Sequence, residues 1–176
     1  MTPRPFGKKE FQFIRTDPGI TVSARVRISR VGDGEMTVPA APWLEVRLAR
    51  CHTSVCDAGA LVAVDRRDRL IGAQLRVLQQ QGTPVRVSSA VVGQVWRDGR
   101  NQANLARVLA GVGIEALGKD DGKRIGELLA RSGSADIVDT HVALITAHAD
   151  LVLTSDPGGI RKLLHARGVS ARVQTG

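Results

Sequence analysis

The chain is expected to fold as an α/β protein: a three-layer α/β/α sandwich around a central parallel sheet of four or five strands. Three observations point there. From Cys51 onward, short apolar runs alternate with segments of helical period. The breaks between them fall at Gly, Pro and residues that cap helices. Aspartates stand where an apolar run passes into a helix, at Asp57 and again at Asp156. Such alternation buries a parallel sheet between helices on both faces.

The elements follow in order. TSVCD is a short apolar run and reads as the first strand of the sheet. AGALVAVDRR and RLIGAQLRVLQQQ have helical spacing, and Gly82 and Pro84 end the second of them. VRVSS is the next strand, continued by the helix AVVGQVWRDG. NQANLARVLAG is a helix opened by Asn101 and closed by Gly111. GIEAL is a third strand. DDGKRIGELLARSG is amphipathic, with Asp at its start and Arg131 and Gly133 at its end, as the helix dipole and C-cap chemistry favour. DIVDTHVALITAHA is a helix, LVLTS a strand, and DPGGIRKLLHARG a helix. VSARV, after Gly168, is the candidate last strand.

Residues 1–50 read differently, as a basic, weakly ordered N-terminal extension before a compact domain at 51–176. VSARVRISRV alternates apolar and charged residues in the manner of an exposed strand, and VGDGEMTVPAAPW is turn and linker material. This part holds nine of the 25 Lys/Arg and five of the 17 Asp/Glu, which is half of the net charge of +8. A basic balance favours a polyanionic partner such as nucleic acid. With no Tyr and 3% aromatic residues, a sheet that stacks bases is excluded, and recognition runs through phosphates. Cys51, His52 and Cys56 have no second pair to complete a zinc site, and Cys56 reads as a small buried strand residue. No apolar run reaches membrane-spanning length and no secretory leader is visible, so a reduced, cytoplasmic protein is expected.

The acids carry the chemistry. Asp57 and Asp156 both fall at carboxyl ends of strands, the edge at which parallel α/β sheets bind ligands. Asp136 and Asp139 are three apart at the start of a helix, beside the apolar stripe Val138, Val142, Ile145 and Ala149. Each acid is also a good helix cap, Asp156 before Pro157 above all. Two carboxylates about 4 Å apart repel by roughly 4 kcal/mol at an effective dielectric near 20. If the acids converge, they need raised pKa values or a cation, and Mg²⁺ or Mn²⁺ is the hard ion that suits oxygen ligands.

Four segments resemble the PIN-domain family, which includes the VapC ribonuclease toxins: CDAGALVAVDRRDR, SSAVVGQVWRDG, ADIVDTHVAL and VLTSDPGGIRKLL, in the family's order, over residues 51–176. The resemblance implies a PIN-like domain with Asp57, Asp139 and Asp156 as catalytic metal ligands and Asp136 as an accessory ligand. It implies hydrolysis of RNA phosphodiester bonds with Mg²⁺ or Mn²⁺, a small VapB-like antitoxin as partner, and a homodimer. The departure is Gln94, which stands where the family has Glu. Its amide carbonyl is a further candidate ligand, but it brings no charge and cannot act as a base. The alternative is a catalytically weakened PIN module that binds RNA or protein.

Other residues have plainer expected roles. Asp98, one turn beyond Gln94, reads as a turn acid, and Trp96 as core packing. Thr154 and Ser155 read as a strand end able to position a phosphate or water, and Arg97 and Arg100 as an exposed helix end able to hold phosphate. His141 and His148 lack an HExxH context and are read as non-catalytic. A receiver-like signalling domain would need a Lys near the last strand, and Lys162, inside a helix segment, counts against it.

Overall fold

The structure is a computed structural model that describes residues 51–175 and, before them, strand residues 9–17, 20–31, 35–37 and 43–48. The chain forms two compact units, Met1–Ala49 and Arg50–Gly176. In the first, β1 (Lys9–Asp17), β3 (Glu35–Thr37) and β4 (Trp43–Leu48) each pair antiparallel with β2 (Ile20–Val31). The alternating stretch VSARVRISRV lies within β2.

The second unit is the expected α/β sandwich. Its parallel sheet has the order β7-β6-β5-β8-β9. The strands are β5 (Ser54–Cys56), β6 (Val85–Ser88), β7 (Gly113–Glu115), β8 (Leu151–Thr154) and β9 (Arg172–Thr175). Helices α1 (Ala58–Asp65), α2 (Arg69–Gln80), α3 (Ser89–Val95) and α4 (Ala103–Leu109) connect the strands running outward from β5. After β7 the chain returns through α5 (Lys119–Ser132) and α6 (Ile137–Ile145) to β8, and α7 (Pro157–Arg167) leads to β9. Right-handed crossovers in opposite directions put the two helix groups on opposite faces. Accordingly α1 packs with α2, α3 and α4, while α5, α6 and α7 pack on one another.

The strands are covered on both sides, and their residues show it. All of β5 and β8 is buried, including the polar ends Ser54 and Thr154. Leu61 and Ile71 from one helix group, and Val142, Ile160 and Leu163 from the other, are at most 1% exposed and close the core on the sheet. Cys56 is buried in β5, as its apolar setting suggested.

Three boundaries differ from the sequence reading, each for a local reason. Helix α6 stops at Ile145 rather than running on through His148. The Arg167 guanidinium donates to the carbonyls of Ala143 and Thr146, and the Thr146 hydroxyl donates to the carbonyl of Val142. Ala149 then takes a left-handed conformation with φ 64°, so it leaves the expected apolar stripe. The last strand starts at Arg172, because Gly168 caps α7 with φ +74° and residues 169–171 are spent reaching the sheet. Helix α3 ends at Val95, which leaves Trp96 outside it and 38% exposed instead of in the core.

Candidate functional site

The sheet order makes one topological switch point. From β5 the chain moves outward through β6 and β7, and then returns to the other side of β5 at β8. Loops beyond the carboxyl ends of β5 and β8 therefore part to opposite faces and leave a crevice between them. Asp57 follows β5 and Asp156 follows β8 by two residues. The register pairs Cys56 with Leu153, and the Asp57 amide continues the ladder by donating to the carbonyl of Leu153 at 3.0 Å.

Asp57 is 4% exposed and its position is fixed from two sides. Oδ1 accepts from the Ala60 amide at 2.8 Å, which caps α1. Oδ2 accepts from the Ser155 amide at 3.3 Å, across the switch point. The Thr154 hydroxyl bonds Asp57 and accepts from the amide of Asp156 at 2.9 Å. Burial raises the Asp57 carboxyl above its usual range, against the opposing pull of these hydrogen bonds. Gly59 is required by the same junction. A Cβ there would lie 2.0 Å from Ser155 Oγ and 2.3 Å from Ser155 Cβ.

Asp136 and Asp139 arrive on α6. Asp136 caps the helix, with Oδ1 accepting from the Asp139 amide at 2.8 Å. Asp156 caps α7, with Oδ1 accepting from Gly158 and Gly159 at 3.1 and 3.0 Å. Asp139 is half-buried, and its carboxyl is pushed up to about 6, first by burial and then by the negative charges of Asp136, Asp57 and Asp156. Acids far apart in sequence thus share one field at the carboxyl edge of the sheet.

The donor set suits a hard divalent ion, since it is all oxygen and strongly anionic. It is not a closed cage: among the described residues, no three His, Cys, Asp or Glu side chains are grouped as a metal site. Asp57, Asp136 and Asp156 are instead turned back onto helix amides. A cation would have to compete with those caps; Asp136 and Asp156 each keep a second oxygen to offer, while both oxygens of Asp57 already accept from amides. The shared field and the absent cage are compatible, because charge acts over a longer range than coordination does.

The shifted acid gives a test in the metal-free protein. Asp139 titrates near 6 in the fold against 3.8 for an ordinary Asp. Its charged form is therefore disfavoured by folding, fully so above the folded value, and relieved as pH falls toward the ordinary one. Asp139→Asn is expected to raise the melting temperature near neutral pH, and its advantage over wild type should vanish as the pH falls well below that folded value. Solvent screening of a half-buried group reduces the nominal effect to about 1 kcal/mol. Thermal melts in chelator at several pH values check this. Equal stability of the two proteins at neutral pH would place Asp139 outside a shared field.

The remaining candidates make contacts of their own. Gln94, in the last turn of α3, is exposed and shares with Ser155 the lining of a recess of about 520 Å³. Asp98 is exposed and closes a turn, accepting from the Arg100 amide and the Asn101 side chain. Arg97 donates to the carbonyls of Gly93 and Trp96 at the end of α3. His141 is 1% exposed, and Nδ1 lies 2.7 Å from Ser88 Oγ, which ties α6 to the start of α3. Burial holds its pKa below the usual value, so it is a neutral packing residue. His148 accepts from the Ser170 amide. The polar role of Gln102 was missed in the sequence: its side chain accepts from the amides of Arg97 and Asp98 and donates to Asp65 and to the Val95 carbonyl. No local pattern distinguishes that bridge from an ordinary surface Gln.

Comparison with known proteins gives one kind of match. The chain is similar to one in the crystal structure of VapBC2 from Rickettsia felis bound to a DNA fragment from their promoter, with a TM-score of 0.50 and 15% identity. The match covers 69% of this chain and 98% of that one. The fold is PIN-like. No family model matches the chain. No curated protein matches it either. Among the described residues, no helix is long and apolar enough to cross a membrane.

Proposed function

We propose that the chain is a divalent-metal-dependent endoribonuclease that hydrolyses RNA phosphodiester bonds, and the toxin of a VapBC-type pair. The observation that carries this reading is the common field of Asp57, Asp136 and Asp156 at Asp139. Asp57, Asp139 and Asp156 would hold Mg²⁺ or Mn²⁺, with Asp136 assisting. When bound, such an ion makes water more acidic and neutralises charge on a phosphate. The chain's own residues supply the setting. Asp57 is held rigid by the Ala60 and Ser155 amides, and an ion would share its oxygens with those two bonds. Asp139 carries the negative field of the other acids, which a bound cation would relieve. The N-termini of α1, α6 and α7 are capped by Asp57, Asp136 and Asp156, and their positive ends stabilise those carboxylates in the charged form an ion needs. The net charge of +8 draws RNA in and makes binding salt-sensitive.

The similarity to the VapBC2 fold supports a small VapB-like antitoxin as partner. A homodimer and a cytoplasmic setting belong to the same reading. The second reading is a weakened PIN module that binds RNA or protein without cutting it. It is favoured by Gln94 in place of an acid and by the lack of a preformed cage. Incubation of the full chain with mixed RNAs in Mn²⁺, Mg²⁺ or chelator separates them. Cleavage that chelator abolishes is the expected result; intact RNA in every metal would leave the binding module.

A further inference from the structure

Beside the acids lies a recess that the metal chemistry does not use. Its walls include Gly59, Val62, Arg66, Gln94, Val95 and Ser155, so it opens directly off the junction that fixes Asp57. At about 520 Å³ it lies within the range of small-ligand sites, roughly 300–1,000 Å³. Val62 and Val95 give it apolar wall. Arg66, Gln94 and Ser155 give it polar groups, and among the described residues none of these three side chains is engaged in a hydrogen bond or ion pair. Asp68 also lines it, with Oδ1 capping α2 through the Leu70 and Ile71 amides.

These groups match a nucleotide better than a cation. Arg66 can hold a phosphate, whereas Asp68, the single acid on the wall, offers a divalent ion too few charged ligands. An amide offers a donor and an acceptor side by side, the pattern with which Gln reads a base edge. The apolar wall can take a base or sugar face in a chain too poor in aromatics to stack it.

We propose that this recess is a nucleotide subsite beside the acidic cluster, and that Gln94 contacts RNA there rather than the cation. This rests on the ribonuclease reading. It gives the Gln-for-Glu departure a positive use: the side chain selects substrate, and the aspartates alone hold the ion.

The test uses the full chain as wild type, Gln94→Ala, Gln94→Glu and Arg66→Ala. All three substitutions fall on exposed positions, and thermal melts check that each variant is folded. Mn²⁺ affinity is measured by calorimetry, and RNA affinity by fluorescence anisotropy of a labelled RNA in Ca²⁺. The expected result is RNA binding weakened about tenfold in each variant, most in Gln94→Glu, with Mn²⁺ affinity within about twofold of wild type. Two results overturn the subsite: tighter Mn²⁺ binding by Gln94→Glu, which makes the position a metal ligand, or unchanged RNA affinity in all three, the outcome also expected of a recess that holds a protein segment. A wild type that neither binds Mn²⁺ nor cuts RNA would instead remove the ribonuclease reading itself, and the subsite with it. Normal Mn²⁺ binding and cleavage with unmoved RNA affinities would remove the subsite alone.

Discussion

Asp57→Asn is expected to lower RNA cleavage by about a thousandfold while the protein stays folded. Losing one charged ligand from a site where the transition state gathers charge costs several kcal/mol, and about 4 kcal/mol corresponds to three powers of ten in rate. The fold should survive because Asn is as good a cap as Asp, so one oxygen still accepts from the Ala60 amide. The amide nitrogen would face the Ser155 N–H that now donates to Oδ2, and that bond, at 3.3 Å, is the weaker of the two. Removing a buried charge whose pKa is already raised offsets that loss. Stability within about 1 kcal/mol of wild type is therefore expected. Cleavage rates and denaturant melts on the same preparations read both quantities. A variant that cuts RNA at the wild-type rate would remove Asp57 from the chemistry.

The second large effect is structural. Gly59→Ala would put a methyl group 2.3 Å from Ser155 Cβ and 3.0 Å from its amide nitrogen. Rotating the Ser155 hydroxyl cannot relieve this, since Cβ and the amide are fixed by the backbone. The start of α1 and the loop after β8 must move apart, and the bond from the Ser155 amide to Asp57 stretches with them. We expect a loss of about 2–3 kcal/mol, the upper part of the overpacking range, together with most of the activity. Gly72→Ala is the control, because its Cβ would meet nothing within 4 Å. That substitution lies inside α2 and should stabilise by roughly 0.5–1 kcal/mol. Similar stability changes at both glycines would mean that the Gly59–Ser155 contact is not close in solution.

The two glycines show where sequence reading stops. The strand-to-helix passage at Asp57 is legible because SVC is apolar and a capping residue follows it. Asp156 before Pro157 is legible for the same reason. Nothing local says that β8 lies beside β5, yet that adjacency brings residue 155 within hydrogen-bonding distance of residue 57. The pairing depends on the chain turning back after β7, which strand–helix alternation leaves open. Gly59 therefore looks like any helix glycine until Ser155 is placed against it. Trp96 fails in the opposite direction: its bulk suggests core, but α3 ends one residue too early to turn it inward. Helix α6 is misjudged at its far end because the side chain that satisfies its last carbonyls, Arg167, comes from α7. That the charges of Asp57, Asp136 and Asp156 would bear on Asp139 could be suspected from the sequence alone. The mark of that field is a raised Asp139, a property of the assembled edge and not of any segment.

Calorimetric titration of Mn²⁺ into the full chain near neutral pH tests most directly whether these side chains share one ion. Wild type should bind, Asp57→Asn and Asp139→Asn should each bind at least about tenfold more weakly, and Asp98→Asn should match wild type. No binding by wild type, or binding indifferent to Asp57 and Asp139, would contradict a common cation at the carboxyl edge of the sheet.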